Sequence, residues 1–227
     1  MERALEFYKR TKFNHIDWDL ITYGEQRQKQ REMSMDNYRN NENTPLIFTK
    51  RKSSREFCGS KIEIEQIKNI ARSAIGYIGN EDGIKRAIPS AGGIYGLNLY
   101  ICALNVEGLE YGLYHYNPYN DDFVFVSAVD SCLVKEAVPQ LTDSKACVLL
   151  LWTAEWTRYV KKYGERGLRY LYIESGHSCQ NAYLTAAEMG IGICAIGAYD
   201  EDILEKVFDL SIEMVVYCAL VGKEGNK

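Results

Sequence analysis

The chain has 227 residues, of which 46% are hydrophobic and 26% are charged, and its formal net charge is −4. This length and composition are ordinary for a globular protein and allow one large domain or two small ones. The negative charge argues against a broad nucleic-acid surface, and no apolar run reaches the roughly 18 residues needed to span a bilayer. The charged N-terminus lacks the basic-then-apolar order of a signal peptide, so we expect a cytoplasmic protein.

Cysteine and histidine usage limits the possible metal and disulfide chemistry. The seven cysteines are spread evenly without a C-x-x-C pair, which favours reduced thiols packed as small hydrophobic groups. Only three histidines occur, too few for a multi-histidine metal site. Glu174 and His177 have the i, i+3 spacing of a helical metal half-site, but no second such pair exists. We therefore expect no metal, and we interpret His177 as a hydrogen-bonded residue of the core or near a site.

The first part of the chain predicts a polar arm followed by a folded region. Residues 1–50 read as an arm with helical pieces, and the stretch 24–43 has so few apolar residues that we expect it to wrap a surface or a partner. After Pro45, capping-box spacing at Ser60 and Glu63 and a helical repeat of apolar residues predict a helix that ends at Gly76.

The remaining elements mix strands and helices without a regular βαβ alternation. A helix over 166–189 is the longest and is apolar on most of its circumference, so we expect it in the centre of the core. The pattern predicts an α+β domain with a mixed or mostly antiparallel sheet packed by helices, and it disfavours a doubly wound fold. The other predicted elements are strands at 97–104, 146–152 and 214–222, two strands joined by a turn at 117–122, and helices at 131–141 and 200–210.

Residues 51–55, with the sequence RKSSR, place three cations around two hydroxyls. In an extended segment Arg51, Ser53 and Arg55 point the same way, because side chains alternate. Such a face suits a phosphate or an electron-rich ring edge. A solvated basic loop is the alternative interpretation.

Three further segments could carry chemistry. The segment 89–96 (PSAGGIYG) supplies small residues where a backbone can approach a flat ligand, although a plain turn needs the same residues. The segment 190–197 (GIGICAIG) has the wrong glycine spacing for a dinucleotide fingerprint and follows a helix instead of a strand. The segment 158–170 contains five cations and could hold a lysine base or form a charged surface loop. No hydrolase or NTPase motif occurs.

Taken in order, these motifs are specific. The chain contains R-x-S-x-R, P-S-A-G-G-x-Y, G-L-x-x-G-x-Y-x-Y-x-P, K-Y-G-x-R-G-x-R-Y-x-x-x-E-x-G-H-x-x-Q-N, G-x-G and a terminal V-G. This order resembles the SagB/ThcOx-type branch of the nitroreductase superfamily from about Arg51 to Gly222. The opening segment, ALEFYKRTKFN, is also similar to the start of that branch.

The resemblance implies a nitroreductase-like α+β fold, an intertwined homodimer and FMN bound at the dimer interface, with residues 51–227 as the FMN-binding domain. Arg51, Ser53 and Arg55 resemble the first flavin-contacting segment of the family. Ser90, Ala91 and Gly92 resemble the loop that approaches the isoalloxazine ring from the partner subunit. Ile196 and Gly197 fall where the family places backbone near the reactive face of the flavin, and Lys223 resembles a phosphate contact.

Azoline-oxidising members of this branch use a Lys-Tyr pair, which Lys162 and Tyr163 match. Their substrates are thiazoline or oxazoline rings in ribosomally made peptides, which become thiazoles or oxazoles. A base and the flavin must then flank one ring. The chain carries no obvious peptide-recognition domain, which a cyclodehydratase partner could supply. Two alternatives stay open: an NAD(P)H-dependent nitroreductase or flavin reductase, and a scaffold that docks a biosynthetic partner through residues 24–43.

Overall fold

A computed structural model of the protein describes residues 1–12, 44–80, 83–210 and 212–225. The stretch 24–43, for which a wrapping role was predicted, lies outside the described residues. Within them, no helix combines the length and the apolar character needed to cross a membrane.

Within the described residues, ten strands form three sheets. The strands are β1 (Ile62–Glu63), β2 (Tyr77–Asn80), β3 (Gly83–Arg86), β4 (Leu97–Ala103), β5 (Val106–Glu107), β6 (Gly112–Asn117), β7 (Asp122–Ser127), β8 (Val148–Ala154), β9 (Ile191–Ile196) and β10 (Met214–Lys223). The central sheet has six strands in the order β7–β6–β4–β8–β10–β9, and each neighbouring pair is antiparallel. The short strands pair as β1 with β5, in parallel, and β2 with β3.

Seven α-helices in the described part of the chain pack around the central sheet. They are α1 (Glu2–Thr11), α2 (Leu46–Lys50), α3 (Ile64–Ile75), α4 (Ser131–Ala137), α5 (Trp156–Tyr163), α6 (Arg166–Glu188) and α7 (Glu201–Val207), together with 3₁₀ turns at Ala91–Gly93 and Pro139–Leu141. The predicted α+β domain with a mostly antiparallel sheet is therefore confirmed.

Strand β8 shows why the sheet sequences are apolar on both faces. Leu150 and Trp152 pack in the core cluster that contains residues of α3 and α6, whereas Leu149 and Leu151 pack in the cluster that contains residues of α4 and α7. Because both faces of the strand are buried, its apolar run is continuous and does not alternate. All seven cysteines are free, and five of them fill buried positions in these clusters.

Helix α1 is tied to the rest of the fold. Ala4 and Tyr8 are buried, and the Tyr8 hydroxyl donates a hydrogen bond to the Glu205 carboxylate of α7. The Lys12 ammonium, which is almost fully buried, lies 2.7 Å from carboxylate oxygens of both Asp202 and Glu205. These contacts fix the start of the chain against α7.

The predicted capping box at Ser60 is wrong in position. Ile62 and Glu63 stay extended because they pair in parallel with β5, and the helix begins only after Glu63. Glu63 and Gln66 form the capping box instead. The helix predicted over 131–141 is also divided, since Val138 precedes a proline and takes an extended φ of −127°.

Helix α6 confirms the longest prediction but is not enclosed on all sides. It contacts α3 and α5 and lies against β4, β9 and β10. One stripe of the helix is nevertheless exposed in the single chain, and it includes Ile173, Gly176, His177 and Gln180. The structure therefore does not place His177 in the core of the single chain, and the other interpretation, a residue near a site, stays a prediction.

Candidate functional site

The segment 51–55 runs beside the edge strand of the central sheet. The Ser54 amide donates a 2.9 Å hydrogen bond to the carbonyl of Ile193 in β9. The side chains of Lys52 and Ser54 turn to one side, where both bind the Glu224 carboxylate just beyond β10. Lys52 is thus paired with a carboxylate. Arg51, Ser53 and Arg55 lie on the opposite side of the segment.

Arg51 and Ser53 both meet Tyr183 of α6. The Arg51 guanidinium lies 5.6 Å from the centre of the Tyr183 ring, within cation–π range. The Ser53 hydroxyl lies 3.1 Å from the Tyr183 hydroxyl, which also accepts a 2.6 Å hydrogen bond from the amide of Ala195 in β9. Tyr183 therefore joins the basic segment to the edge strand, a role that we did not predict.

Arg55, Ile196 and Gly197 line one cleft of about 470 Å³ at the end of β9. A side chain built at Gly197 would meet no atom within 4 Å, so the backbone there faces open space. Lys223 does not line this cleft. It ends β10, where its carbonyl accepts a 2.9 Å hydrogen bond from the amide of Cys58.

A second group of predicted residues meets at the loop before β4. Gly92 has a φ of +59°, and its carbonyl accepts a 2.9 Å hydrogen bond from the Lys162 ammonium of α5. A Cβ atom at Gly92 would lie 2.3 Å from the Tyr163 hydroxyl and 2.4 Å from the Lys162 ammonium. Glycine is therefore what permits the Lys-Tyr pair to lie against this loop.

Two other side chains of α5 hold the same loop. The Arg158 guanidinium donates a 2.8 Å hydrogen bond to the carbonyl of Ile94. The Tyr159 hydroxyl accepts a 3.0 Å hydrogen bond from the amide of Gly96. Residue 162 is four positions after 158 and three after 159, so its side chain lies next to both on the helix surface.

The buried carboxylate of Glu174 in α6 lies beneath this loop. Its Oε2 atom accepts hydrogen bonds of 2.6 Å from the Ser90 hydroxyl and 2.9 Å from the Tyr159 hydroxyl. Burial raises the pKa of Glu174, and the two hydroxyl hydrogen bonds oppose that rise. In the sequence, Glu174 is one position of the motif over 162–181 and a carboxylate on a largely apolar helix, but we considered it only as half of a metal site.

In a single chain the two groups of residues lie on opposite sides of α6. Tyr183 and Glu174 are nine positions apart in this helix, which corresponds to two and a half turns and about 13 Å along the axis. The structure thus brings Arg51 and Ser53 to β9, and Ser90, Ala91 and Gly92 to Lys162 and Tyr163. It does not bring these two groups into contact with each other.

The chemistry of both groups suits FMN, which carries an anionic phosphate and a flat ring system. Arg51 and Arg55 supply positive charge beside β9. Gly197 exposes main chain beside open space, whereas the missing side chain of Gly92 makes room for Lys162 and Tyr163. A flat ring can approach a backbone most closely where no side chain intervenes, as at Gly197. The residues present therefore fit this cofactor. Among the described residues, no cluster of three or more histidine, cysteine or acidic side chains could hold a metal ion.

Comparison with known proteins identifies the family. The sequence pattern described as the Nitroreductase family matches residues 48–223. Over 162 residues the chain is 36% identical to a protein of Methanocaldococcus jannaschii that bears the name "Putative nitroreductase MJ1384", covering 70% of this chain and 81% of that protein. Over 165 residues it is 26% identical to the Microcin B17-processing protein McbC of Escherichia coli, covering 68% of this chain and 59% of McbC, which is less than two thirds of that relative.

A solved structure agrees with this assignment. A chain in the E. coli microcin synthetase McbBCD complex with truncated pro-MccB17 bound superposes with a TM-score of 0.74 at 19% identity, covering 99% of this chain and 93% of that chain. At this identity the likeness concerns the fold alone. Together with the sequence matches, it shows that the chain belongs to the nitroreductase family, a family of oxidoreductases whose members generally bind FMN.

Proposed function

We propose that this protein is an FMN-dependent dehydrogenase that converts thiazoline or oxazoline rings of a ribosomally made peptide to thiazoles or oxazoles. The observation that carries the proposal is the 2.9 Å hydrogen bond between the Lys162 ammonium and the Gly92 carbonyl. This contact joins two segments that resemble the azoline-oxidising branch. Lys162 and Tyr163 match the Lys-Tyr pair of that branch, and the loop 90–92 resembles its flavin-approaching segment.

The reaction needs both a hydride acceptor and a base. Oxidation of an azoline ring removes one hydride and one proton. FMN, when bound, supplies the hydride acceptor, and dioxygen can restore its oxidised form. In its neutral amine form Lys162 takes the ring proton and becomes an ammonium, because its nitrogen lies at the loop where the substrate ring would be held. Tyr163, whose ring packs edge-on against Tyr170 at 5.0 Å, orients the substrate ring beside the lysine.

A homodimer would unite the two groups of residues. The exposed stripe of α6 includes Ile173, which is 49% exposed, and α2 presents Phe48 at 53% exposure. Apolar side chains at this level on a long central helix support an interface between two copies of the chain. In the proposed dimer, FMN lies at the interface, where it contacts the segment 51–55 of one protomer and the loop 90–92 of its partner. Lys223 is proposed to contact the phosphate.

A partner protein is part of this proposal. The McbBCD complex contains the chain with a similar fold, which supports an assembly with a cyclodehydratase that presents the peptide. Residues 51–227 are proposed to carry the flavin. The first 50 residues are proposed to form an arm, anchored by Tyr8 of α1, that contacts the partner.

The decisive experiment compares Lys162→Ala with Lys161→Ala in a thiazoline-peptide oxidation assay. Lys161 is the neighbouring exposed cation of α5, so it controls for the loss of charge. We expect Lys162→Ala to retain FMN and to lose about a hundredfold or more in azole formation, while Lys161→Ala stays close to wild type. Wild-type rates in Lys162→Ala would contradict the role of the base.

A second candidate function is an NAD(P)H-dependent nitroreductase or flavin reductase, favoured by the 36% identity to the Methanocaldococcus jannaschii protein. Stopped-flow absorbance separates the two functions. The dehydrogenase predicts flavin reduction by the thiazoline peptide and no rapid reduction by NADH or NADPH. Rapid reduction by a nicotinamide, without reduction by the peptide, would support the second candidate.

A further inference from the structure

Glu174 is the buried ionisable group beside the proposed site whose chemistry the reaction leaves unused. It is 2% exposed and lies on α6, beneath the loop from Ser90 to Gly96. Its Oε2 atom accepts from the Ser90 and Tyr159 hydroxyls at 2.6 and 2.9 Å. A single carboxylate oxygen therefore joins a side chain of the loop to a side chain of α5.

Each of these hydroxyls in turn accepts a hydrogen bond from a main-chain amide of the loop. The Tyr95 amide donates to the Ser90 hydroxyl at 2.9 Å, and the Gly96 amide donates to the Tyr159 hydroxyl at 3.0 Å. Since a hydroxyl has one proton, donation to Glu174 keeps its lone pairs turned toward these amides. The carboxylate thus orients the hydroxyl groups that hold the end of the loop.

The same loop also contacts Lys162, the proposed catalytic base. Lys162 donates to the carbonyl of Gly92, and Arg158 donates to the carbonyl of Ile94. Two sets of contacts therefore fix the distance between the loop and Lys162. Side chains of α5 bind the loop directly, and Glu174 binds it through Ser90 and Tyr159.

The second carboxylate oxygen of Glu174 makes it possible to separate the effect of the hydrogen bonds from the effect of the negative charge. Its Oε1 atom has no hydrogen-bond partner within the part of the chain that the structure describes. Glu174 also lines a cavity of about 10 Å³ together with Arg86, Tyr95 and Leu97, and this is close to the volume that a single water molecule needs. A glutamine could accept both hydroxyl hydrogen bonds with its carbonyl and place its amide nitrogen at this position without losing a protein contact.

We propose that Glu174 is a positioning residue that holds the loop Ser90–Gly96 against α5 and so fixes the spacing between the loop and Lys162. The role in FMN binding that follows rests on the function proposed above. An acceptor oxygen at this position is what the loop requires, and a negative charge is not.

Hydrogen–deuterium exchange of the FMN-free protein, followed by mass spectrometry, tests the proposal without any activity assay. In Glu174→Leu the Tyr95 and Gly96 amides should exchange about tenfold faster, as expected for the loss of one or two net hydrogen bonds. Glu174→Gln should restore nearly wild-type exchange. The matched control is Glu213→Gln, since Glu213 is another partly buried carboxylate, which accepts from Asn98 at 2.9 Å and from Thr153 but does not touch the loop.

FMN titration of the same variants gives the second measurement. We expect Glu174→Leu to weaken FMN binding about tenfold, with Glu174→Gln and Glu213→Gln close to wild type. Unchanged exchange of both amides in Glu174→Leu would overturn the positioning role, and so would equal defects in Glu174→Leu and Glu174→Gln. If Glu174→Leu does not fold, Tyr159→Phe replaces it and should deprotect the Gly96 amide, whereas full protection in that variant would also overturn the proposal.

The two proposals fail in different ways. A wild-type protein that binds no FMN would contradict the proposed function, while the exchange of the Tyr95 and Gly96 amides would still decide the role of Glu174. A wild-type protein that binds FMN, with a loop indifferent to Glu174→Leu, would contradict the positioning role alone.

Discussion

Replacing Gly92 with alanine tests whether the contact between the loop and the Lys-Tyr pair controls catalysis. The new Cβ would lie 2.4 Å from the Lys162 ammonium and 2.3 Å from the Tyr163 hydroxyl. Ordinary contacts between heavy atoms lie near 3.5 Å or more, so the ammonium must move by about 1 Å. A misplacement of about this size near reacting groups costs on the order of a hundredfold in rate.

The effect on stability should be much smaller than the effect on rate. Alanine at a φ of +59° costs roughly 1–2 kcal/mol, and the side chains that clash can move at their flexible ends. For a chain of this length, such a loss lowers the Tm by about 2–8 °C. The variant should therefore fold and bind FMN at room temperature.

Gly93→Ala is the matched control. Gly93 also has a positive φ, +67°, but a Cβ there would have only the Tyr95 ring as a neighbour, at 4.0 Å. The two variants share the backbone strain, and only Gly92→Ala displaces the Lys-Tyr pair. Thermal melting and mass-spectrometric detection of azole formation should show similar stabilities and very different rates. Equal rates in the two variants would refute the reasoning.

Two further predictions concern stability. Ser178→Ala should lower the free energy of unfolding, measured by urea titration, by about 2 kcal/mol, because the buried Ser178 hydroxyl accepts from the Trp152 indole at 2.6 Å and donates to a main-chain carbonyl at 2.8 Å. The control is Ser175→Ala, which should cost less because the Ser175 hydroxyl bonds within its own helix. Equal losses in the two variants would contradict this prediction. At Asp121, burial acts to raise the pKa, but hydrogen bonds from Arg72 and Tyr116 outweigh it and lower the pKa. The ionised form therefore stabilises the fold above the ordinary aspartate pKa, and this stability is lost as the pH falls through the lowered value. Asp121→Asn should cost roughly 1 kcal/mol at pH 7, since the pair is partly exposed. The cost should begin to shrink as the pH falls below the ordinary aspartate pKa of about 4 and should disappear only below the lowered pKa of the folded protein; a cost that does not depend on pH would contradict the assignment.

Much of the fold follows from local sequence. The period of apolar residues predicted α6 to within one residue at its C-terminal end, and the turn residues around Asn117 marked the hairpin of β6 and β7 correctly. Strand β9 was not predicted, because glycines at 190, 192 and 197 interrupt its apolar residues and its strand character depends on pairing with β10. The hairpin of β2 and β3 was missed as well, since strands of four residues are too short for a periodic signal.

The site was only partly accessible from sequence, because its organisation depends on tertiary contacts. Motif order identified Gly92, Lys162 and Tyr163, which the structure brings together. Tyr183 carries no motif of its own, and Glu174, although it is a fixed position of the motif over 162–181, was considered only as half of a metal site; their roles become visible only when α6 is placed between β9 and the loop before β4.

The most direct test of the account is the absorption spectrum of the purified protein after incubation with FMN and gel filtration. The account predicts a yellow dimer that retains equimolar FMN and whose flavin bands bleach when a thiazoline peptide is added without oxygen. A colourless protein that elutes as a monomer and retains no FMN would contradict it.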